Sequence, residues 1–304
     1  MFLTGFLLGR IHKTTTFAKN INMFQLKTKS DTVVFDRPAL MGILNVTPDS
    51  FSDGGRYNEM DKALQHCEQM LEDGADFIDI GGCSTRPNNA IATENEEMER
   101  VIPMLRAIRR QFPEALISID TFRKNIAQAC MDEGADVIND ISGGLFDAAM
   151  LPYIGENHIP YVMMHCIGTP ETMHQYALCG DIHKTVNDFF AQQCAVLDAY
   201  GEQQIILDPG IGFGKSLEAN YQLLSDLDRY RYRGLPVLIG ISRKSLINKV
   251  LGTTPDTAEN GTTVLNTLAL LNGADILRVH DVKKAREAIE LVGTFCNFAA
   301  KLES

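Results

Sequence analysis

The chain has 304 residues, 45% of them hydrophobic, so it can bury a sizeable core as one large domain or two ordinary ones. Its net charge is −11 with no basic block, which argues against a nucleic-acid partner. No apolar run approaches the roughly 20 residues that a membrane span needs. The seven cysteines (67, 83, 130, 166, 179, 194 and 296) are odd in number, with no zinc-type or thioredoxin-type spacing. Free thiols in a reducing compartment, the cytoplasm, are the expectation.

Residues 1–22 differ from the rest. An apolar run at 2–8 is followed by Arg10, Lys13 and Lys19, and the first acid is Asp31. A secretory signal is opposed by the lack of a basic residue before that run and of a small-residue cleavage site after it; an organellar presequence is the other alternative. The reading adopted is an upstream start, with Met23 opening the natural domain and 1–22 not native or disordered. Residues 1–35 are thus an N-terminal extension with a candidate hairpin, and 36–304 form the main domain.

From residue 36 onward, short β-rich apolar runs alternate with segments of helical period. The runs are 40–45, 77–80, 116–120, 137–140, 161–165, 205–208, 237–241 and 276–279, bounded by Gly, Pro, Asp or Asn. Helical periodicity covers 60–72, where Ala63, Leu64, Cys67 and Leu71 share a stripe. It recurs at 94–111, 124–133, 182–200, 216–231, 257–272 and 282–299. Segment 94–111 begins with acids and ends with Arg106, Arg109 and Arg110, the charge order a helix dipole favours. Gly74, Gly134, Gly201, Gly234 and Gly273 stand where glycine C-caps belong. Gly-Ala-Asp recurs before strands at 74–76, 134–136 and 273–275. Eight strand–helix units over roughly 260 residues match a TIM (β/α)8 barrel, a single α/β domain. A doubly wound open sheet is the competitor, disfavoured by the even spacing of the units.

Polar residues end every strand. They are Asn45, the run Gly81-Gly82-Cys83-Ser84-Thr85-Arg86-Pro87, Asp120, Asn139-Asp140, His165, Asp208, Ser242-Arg243-Lys244, and Arg278 with His280. In a barrel all of these converge on the mouth where barrel enzymes do their chemistry. Asp120, Asn139 and Asp208 suit the edge of a flat heterocycle, and Lys244 can meet a ring carbonyl or nitrogen. Arg278 and His280 alternate on one strand and face the same way, a plausible anion clamp. Gly81-Gly82 with Ser84-Thr85 can offer backbone N–H groups to a phosphate. Asn45 with a site cation makes a place for Mg²⁺-bound diphosphate.

Two motifs mislead. Pro209-Gly210-Ile211-Gly212-Phe213-Gly214-Lys215-Ser216 nearly matches a P-loop, but Pro209 stands where the first Gly must be. It reads as a tight loop after strand six, with Phe213 free to stack on a ring. Met163-Met164-His165-Cys166 suggests a soft metal site, yet adjacent strand residues face opposite sides. His165 reads as a buried, hydrogen-bonded core histidine.

Together these segments resemble the dihydropteroate synthases. The matching pieces are Gly42-Ile43-Leu44-Asn45-Val46-Thr47-Pro48-Asp49-Ser50-Phe51-Ser52-Asp53-Gly54-Gly55, Asp79-Ile80-Gly81-Gly82 with Ser84-Thr85-Arg86-Pro87, Ser118-Ile119-Asp120-Thr121, Ile138-Asn139-Asp140-Ile141-Ser142-Gly143-Gly144, Met164-His165, Asp208 to Lys215, Ser242-Arg243-Lys244 and Arg278-Val279-His280-Asp281-Val282. The resemblance spans about residues 37–300. It implies a TIM barrel that joins a dihydropterin diphosphate to 4-aminobenzoate with Mg²⁺, as a cytoplasmic homodimer and a sulfonamide target. It also implies Asp120, Asn139, Asp208 and Lys244 in a pterin pocket walled by Met164 and Phe213. Asn45, Thr85, Arg278 and His280 would hold diphosphate, with Asn45 as the metal contact. Phe51, Thr85, Pro87, Ser242 and Lys244 would shape the aminobenzoate site, and Asp49, Ser50, Ser84 and Arg86 would lie on catalytic loops.

The chain departs from the family where Gly-Gly-Glu-Ser becomes Gly81-Gly82-Cys83-Ser84, which removes a carboxylate from the second loop. Asn88-Asn89 also replaces a more usual Gly-Ala. A pterin-binding methyltransferase-type barrel and a catalytically silent pterin-binding paralogue are the alternative readings.

Overall fold

The structure, a computed structural model, describes residues 23–28, 31–46, 56–84, 91–169, 172 and 181–301. A hairpin comes first, β1 (Phe24–Lys27) antiparallel to β2 (Thr32–Phe35). The strand–helix alternation then runs β3 (Ala39–Asn45), α1 (Arg56–Glu72), β4 (Phe77–Gly81), α2 (Glu94–Gln111), β5 (Leu116–Asp120), α3 (Lys124–Asp132), β6 (Val137–Asp140) and α4 (Met150–Asn157). It continues with β7 (Tyr161–Met164), α5 (Ile182–Asp198), β8 (Ile205–Asp208), α6 (Leu217–Ser225), β9 (Leu238–Ile239), α7 (Ser245–Leu251), α8 (Glu259–Leu271), β10 (Ile276–Val279) and α9 (Val282–Lys301). The parallel sheet has the order β8-β7-β6-β5-β4-β3-β10-β9. A bridge between Leu207 of β8 and Val237, just before β9, joins its two edges. The barrel is therefore closed, and the open doubly wound sheet is ruled out. None of the described helices is long and apolar enough to cross a membrane.

Strand alternation sorts the core into two parts. Leu40, Leu44, Ile78, Ile80, Ile117, Ile119 and their counterparts point outward and pack under the helices as one continuous cluster. Met41, Phe77, Val137, Val162, Ile206, Leu238 and Ile276 point inward and fill the lower barrel. The hairpin closes the floor beneath them. Phe35 stacks on Phe77 at 5.3 Å and on Phe24 at 4.6 Å, and Leu26 is buried beside them.

The Gly-Ala-Asp repeat is a staple at the amino-terminal ends of the strands. Asp76, Asp136 and Asp275 each accept a bond through Oδ2 from a backbone N–H at the start of the neighbouring strand: Leu40 (2.8 Å), Ile117 (2.8 Å) and Val237 (2.7 Å). Each aspartate's own N–H returns a bond to the same neighbour's carbonyl. An arginine then ties the aspartate to the glycine carbonyl of its own repeat: Arg286 for Gly74, Arg109 for Gly134 and Arg231 for Gly273. All three glycines have φ between 93° and 95°, a region that side chains other than glycine's resist.

Several elements differ from the sequence expectation. The strand expected at 237–241 is only two residues long, between Pro236, which has no N–H to give, and Gly240. The helix expected over 216–231 ends at Ser225 and gives way to a 3-10 turn, Leu227–Tyr230. The one expected from 257 starts as a 3-10 turn and becomes α-helical at Glu259. Two helices, α4 and α7, carried no sequence signal. Both are short, and α4 contains Pro152 and Gly155. Gly155 is required there by packing, since a Cβ would lie 2.4 Å from the Tyr200 ring.

Candidate active site

Strand register places the polar residues in two inward layers above the apolar floor. Asn45 pairs with Gly81, Gly81 with Asp120, and Asp120 with Asn139, and because barrel strands tilt, each pairing steps deeper from Asn45 to Asn139. Met164 stands level with Asp208 across β7 and β8. Alternation assigns Asp79, Ser118, Asn139, Met164, Asp208 and Arg278 to the deeper layer. Asn45, Asp120, Ser242 and His280 belong to the layer at the mouth.

The centre of the site is an ion network. Arg278 donates from Nε to Asp79 Oδ2 and from Nη2 to Asp120 Oδ2, both at 2.6 Å. Asn139 Nδ2 donates to the same Asp79 oxygen at 3.1 Å. Burial pushes the Asp120 carboxyl above the usual carboxylate range, and Arg278 opposes that shift. Burial would lower Arg278, but Asp79 and Asp120 reverse the effect and hold it firmly protonated. Arg278, expected to clamp an anion together with His280, is thus engaged by carboxylates of the site itself. Its guanidinium ties two carboxylates together, and among the described residues Nη1 is the nitrogen that keeps its donors. Asp79 is the site residue that sequence reasoning missed. Its signal was a charge inside the otherwise apolar strand Phe77–Gly81. Two buried side-chain atoms here, Asp79 Oδ1 and Ser118 Oγ, have no partner among the described residues. Buried polar atoms usually find one.

Lys244 stands beside this network, with its Nζ 3.7 Å and Arg278 Cβ 3.8 Å from where a Gly240 Cβ would be. Its Nζ donates to the Ile211 carbonyl at 2.6 Å and lies 4.4 Å from the centre of the Phe213 ring. Burial lowers its pKa to about 8, against the pull of Asp208. Asp208 accepts the Gly210 N–H at 2.7 Å, and burial raises its carboxyl while Lys244 opposes the rise. Arg243, just before Lys244, takes the left-handed conformation at φ 59°. It is fastened by Asp281 and by a bond from its N–H to Thr262 Oγ1. An apolar wall of Ile141, Met164 and Cys166, with Phe122, Phe146 and Phe213 packed against it, closes one side. Ser242 Oγ lies 2.9 Å from His280 Nδ1 and accepts the His280 backbone N–H, so it sets the imidazole's direction.

Asn45 Oδ1 and the Asp120 carboxylate flank Gly81, each about as far from where a Gly81 Cβ would stand: 3.6 Å to Asn45 Oδ1 and to Asp120 Oδ2. The structure thus brings together Asn45, Asp120, Asn139, Met164, Asp208, Phe213, Ser242, Lys244, Arg278 and His280 at one barrel end. Ser84 is described and half-buried at the rim. Asp49, Ser50, Phe51, Thr85, Arg86 and Pro87 lie outside the described residues. His165 is buried as expected, but its Nδ1 has no partner among the described residues and its ring sits edge-on to Phe189. Burial, with Lys215 nearby, lowers its pKa to about 3. Asp140, though at a strand end, is structural: it accepts from Tyr161 Oη, Ser142 and Gly144.

The second loop is held from below. Glu97 of α2 is fully buried and paired with Arg123, which also donates to the Ala92 carbonyl at 2.5 Å. A Cβ on Gly82 would lie 3.1 Å from Glu97 Cγ, so this glycine lets the loop rest on the buried carboxylate. Cys83 faces the same pair. Burial and then Glu97 push its thiol up, away from reactivity.

Residues 41–280 match the family described as pterin binding enzyme. The dihydropteroate synthase of Synechocystis sp. is 44% identical over 251 residues, covering 81% of this chain and 86% of that protein. The Escherichia coli dihydropteroate synthase is 42% identical over 257 residues, covering 84% and 90%. Among solved structures, Yersinia pestis dihydropteroate synthase in complex with a sulfonamide drug superposes with a TM-score of 0.82 at 39% identity, covering 90% of this chain and 98% of that one. The Xanthomonas albilineans dihydropteroate synthase with 4-aminobenzoic acid gives a TM-score of 0.83 at 35% identity, with the same coverage. With its closed barrel and its polar residues gathered at one mouth, the chain belongs to the pterin-binding enzymes, among the dihydropteroate synthases.

Proposed function

We propose that this chain condenses (7,8-dihydropterin-6-yl)methyl diphosphate with 4-aminobenzoate, giving 7,8-dihydropteroate and diphosphate in tetrahydrofolate biosynthesis. The observation that carries the reading is the deeper polar layer. Asn139, Asp208 and Lys244 offer donors and acceptors of mixed sign around an apolar wall, which suits a flat, nitrogen-rich ring. Asp208 and the Asp79–Asp120–Arg278 network place carboxylates where positive charge grows on the ring as diphosphate departs. Arg278 Nη1 and His280, aimed by Ser242, are the donors for the leaving diphosphate. The arylamine of aminobenzoate is neutral near pH 7, so no strong base is needed to free its lone pair. Ser242 and Lys244 would border the aminobenzoate with Phe51, Thr85 and Pro87. The 4-aminobenzoic acid and the sulfonamide in the two related structures support that subsite.

Mg²⁺ fits this site. Asn45 presents a neutral oxygen beside a carboxylate at a strand end, and Mg²⁺ binds through one or two such ligands together with waters and substrate phosphates. When bound, it supplies neutralisation of the leaving group's charge. A homodimer is supported by an exposed apolar stripe, Leu291, Phe295 and Phe298 on α9 beside Val264 and Leu268 on α8. Phe295→Asp should halve the mass seen in sedimentation, and an unchanged mass would remove that face from the interface. A cytoplasmic setting is supported by free, largely buried thiols among the described cysteines.

The test is diphosphate release measured with and without aminobenzoate. Asn45→Ala and His280→Ala should damage turnover of the diphosphate substrate more than binding of a pterin that lacks diphosphate. Equal loss of both properties would sink the placement of the anion site.

A further inference from the structure

The P-loop look-alike after β8 contains a lysine that the proposed chemistry does not use. Lys215 Nζ is buried inside its own loop and donates to three backbone carbonyls: His165 at 3.0 Å, Gly210 at 2.7 Å and Phe213 at 3.0 Å. The first belongs to the end of β7, the other two to the loop itself. The contact between these segments is tight. A Cβ on Gly210 would lie 1.8 Å from the His165 carbonyl oxygen, and one on Gly214 would lie 2.5 Å from that of Ile167. Asn220 fastens the outer side, accepting from Gly212 N–H at 2.7 Å and donating to the Lys215 and Ser216 carbonyls.

Burial lowers the pKa of Lys215 to about 7. An ammonium is an expensive way to fill a core, and an apolar side chain would fill the same space without that cost. What the cation does here is draw three carbonyl dipoles to one point. Two of the loop's residues then meet Lys244: the Ile211 carbonyl accepts its Nζ, and the Phe213 ring lies beneath it.

We infer that Lys215 is a positioning residue: its ammonium gathers the loop after β8 onto the end of β7, so that Ile211 and Phe213 hold Lys244 at the pterin pocket. The inference rests on the pterin-pocket reading above. It assigns a local role, because Asn45 and His280, which serve diphosphate, sit on β3 and after β10, away from this loop.

Lys215→Gln keeps donors but loses the charge, and Lys215→Met keeps bulk but loses both. Calorimetric titration of each variant with 6-hydroxymethylpterin, and separately with magnesium diphosphate, tests the role. The expected result is pterin binding weakened about tenfold, equivalent to 1.4 kcal/mol, with diphosphate affinity held within about twofold. Lys215→Met should show the larger loss. A merely structural lysine would lower both affinities together, or only the melting temperature, and either result overturns the inference. Failure of both variants to fold would make Lys215 a folding residue and also overturns it. Wild-type protein that binds no pterin overturns the pocket reading itself, whereas wild type that binds it alongside unchanged variants overturns this inference alone.

Discussion

The two ends of this barrel use the same residue types in opposite ways. At the amino-terminal end, Asp76, Asp136 and Asp275 are each bonded by a strand N–H and by an arginine that also reaches a glycine carbonyl. At the carboxyl-terminal end, Asp79 keeps one buried oxygen without a partner among the described residues, and Asp120, Asp208 and Lys244 are all moved by burial from their ordinary ionisation. Both ends hold arginine–carboxylate pairs, so an ion pair does not by itself mark a catalytic site. What separates the two is which atom is left over: among the described residues the lower end keeps a buried donor, Arg286 Nη1, and no buried aspartate oxygen without a partner. The orphan at the upper end is a pair of acceptors, Asp79 Oδ1 and Ser118 Oγ, whose missing bonds a ligand can supply.

That comparison can be broken most forcefully at Arg278. Arg278→Met leaves Asp79 and Asp120 facing each other without a cation, at a cost of about 3–5 kcal/mol. Turnover should vanish with it. Adding Asp79→Asn removes one of the stranded charges and should restore much of the melting temperature while leaving turnover lost. Return of activity with stability would mean that the network only holds the fold.

The lower end should give the converse. Asp136→Asn weakens the bonds to Ile117 N–H and Arg109, a loss of about 1.5–3 kcal/mol for hydrogen bonds to a charged group. The melting temperature should fall by several degrees, at about 2–4 °C per kcal/mol. The kcat measured well below the transition should not move. A kcat that falls in step would end the division of labour between the two ends.

The smallest effect sharpens the boundary between them. Cys83 stands where the family usually has a carboxylate, but Glu97 and Arg123 already form a buried pair at that place. Cys83→Glu should therefore destabilise, by about 1.4 kcal/mol, the equivalent of one pKa unit of like-charge repulsion. Glu97→Gln in the same chain should relieve it. A higher melting temperature for Cys83→Glu alone would show that the loop lacks a carboxylate after all.

How much of this was legible beforehand follows the range of each signal. Apolar runs, the Gly-Ala-Asp repeat and the polar strand ends are local features, and they revealed the barrel and eight of the ten residues gathered at its mouth; Phe213 came from the loop after strand six and Met164 from resemblance alone. Asp79 escaped because its meaning depends on Arg278, 199 residues away. Pro209 ruled out a P-loop, but no role for Lys215 could be read, because sequence shows its neighbours and not the three carbonyls that enclose it. The short helices α4 and α7 escaped because packing, rather than periodicity, sustains them. The aminobenzoate roles of Phe51, Thr85 and Pro87 were implied by resemblance alone, since turn-forming residues do not spell out which ligand they border.

One consequence belongs to the hairpin under the barrel. With Phe24, Phe35 and Phe77 stacked across the floor, the barrel is a vessel with a single opening. In such a vessel depth dictates sequence in time: whatever rests against Asn139 and Asp208 must arrive first and depart last. Everything seated at the rim is then a stopper over it. A chain that seals its own base has thereby set the order of traffic at its top.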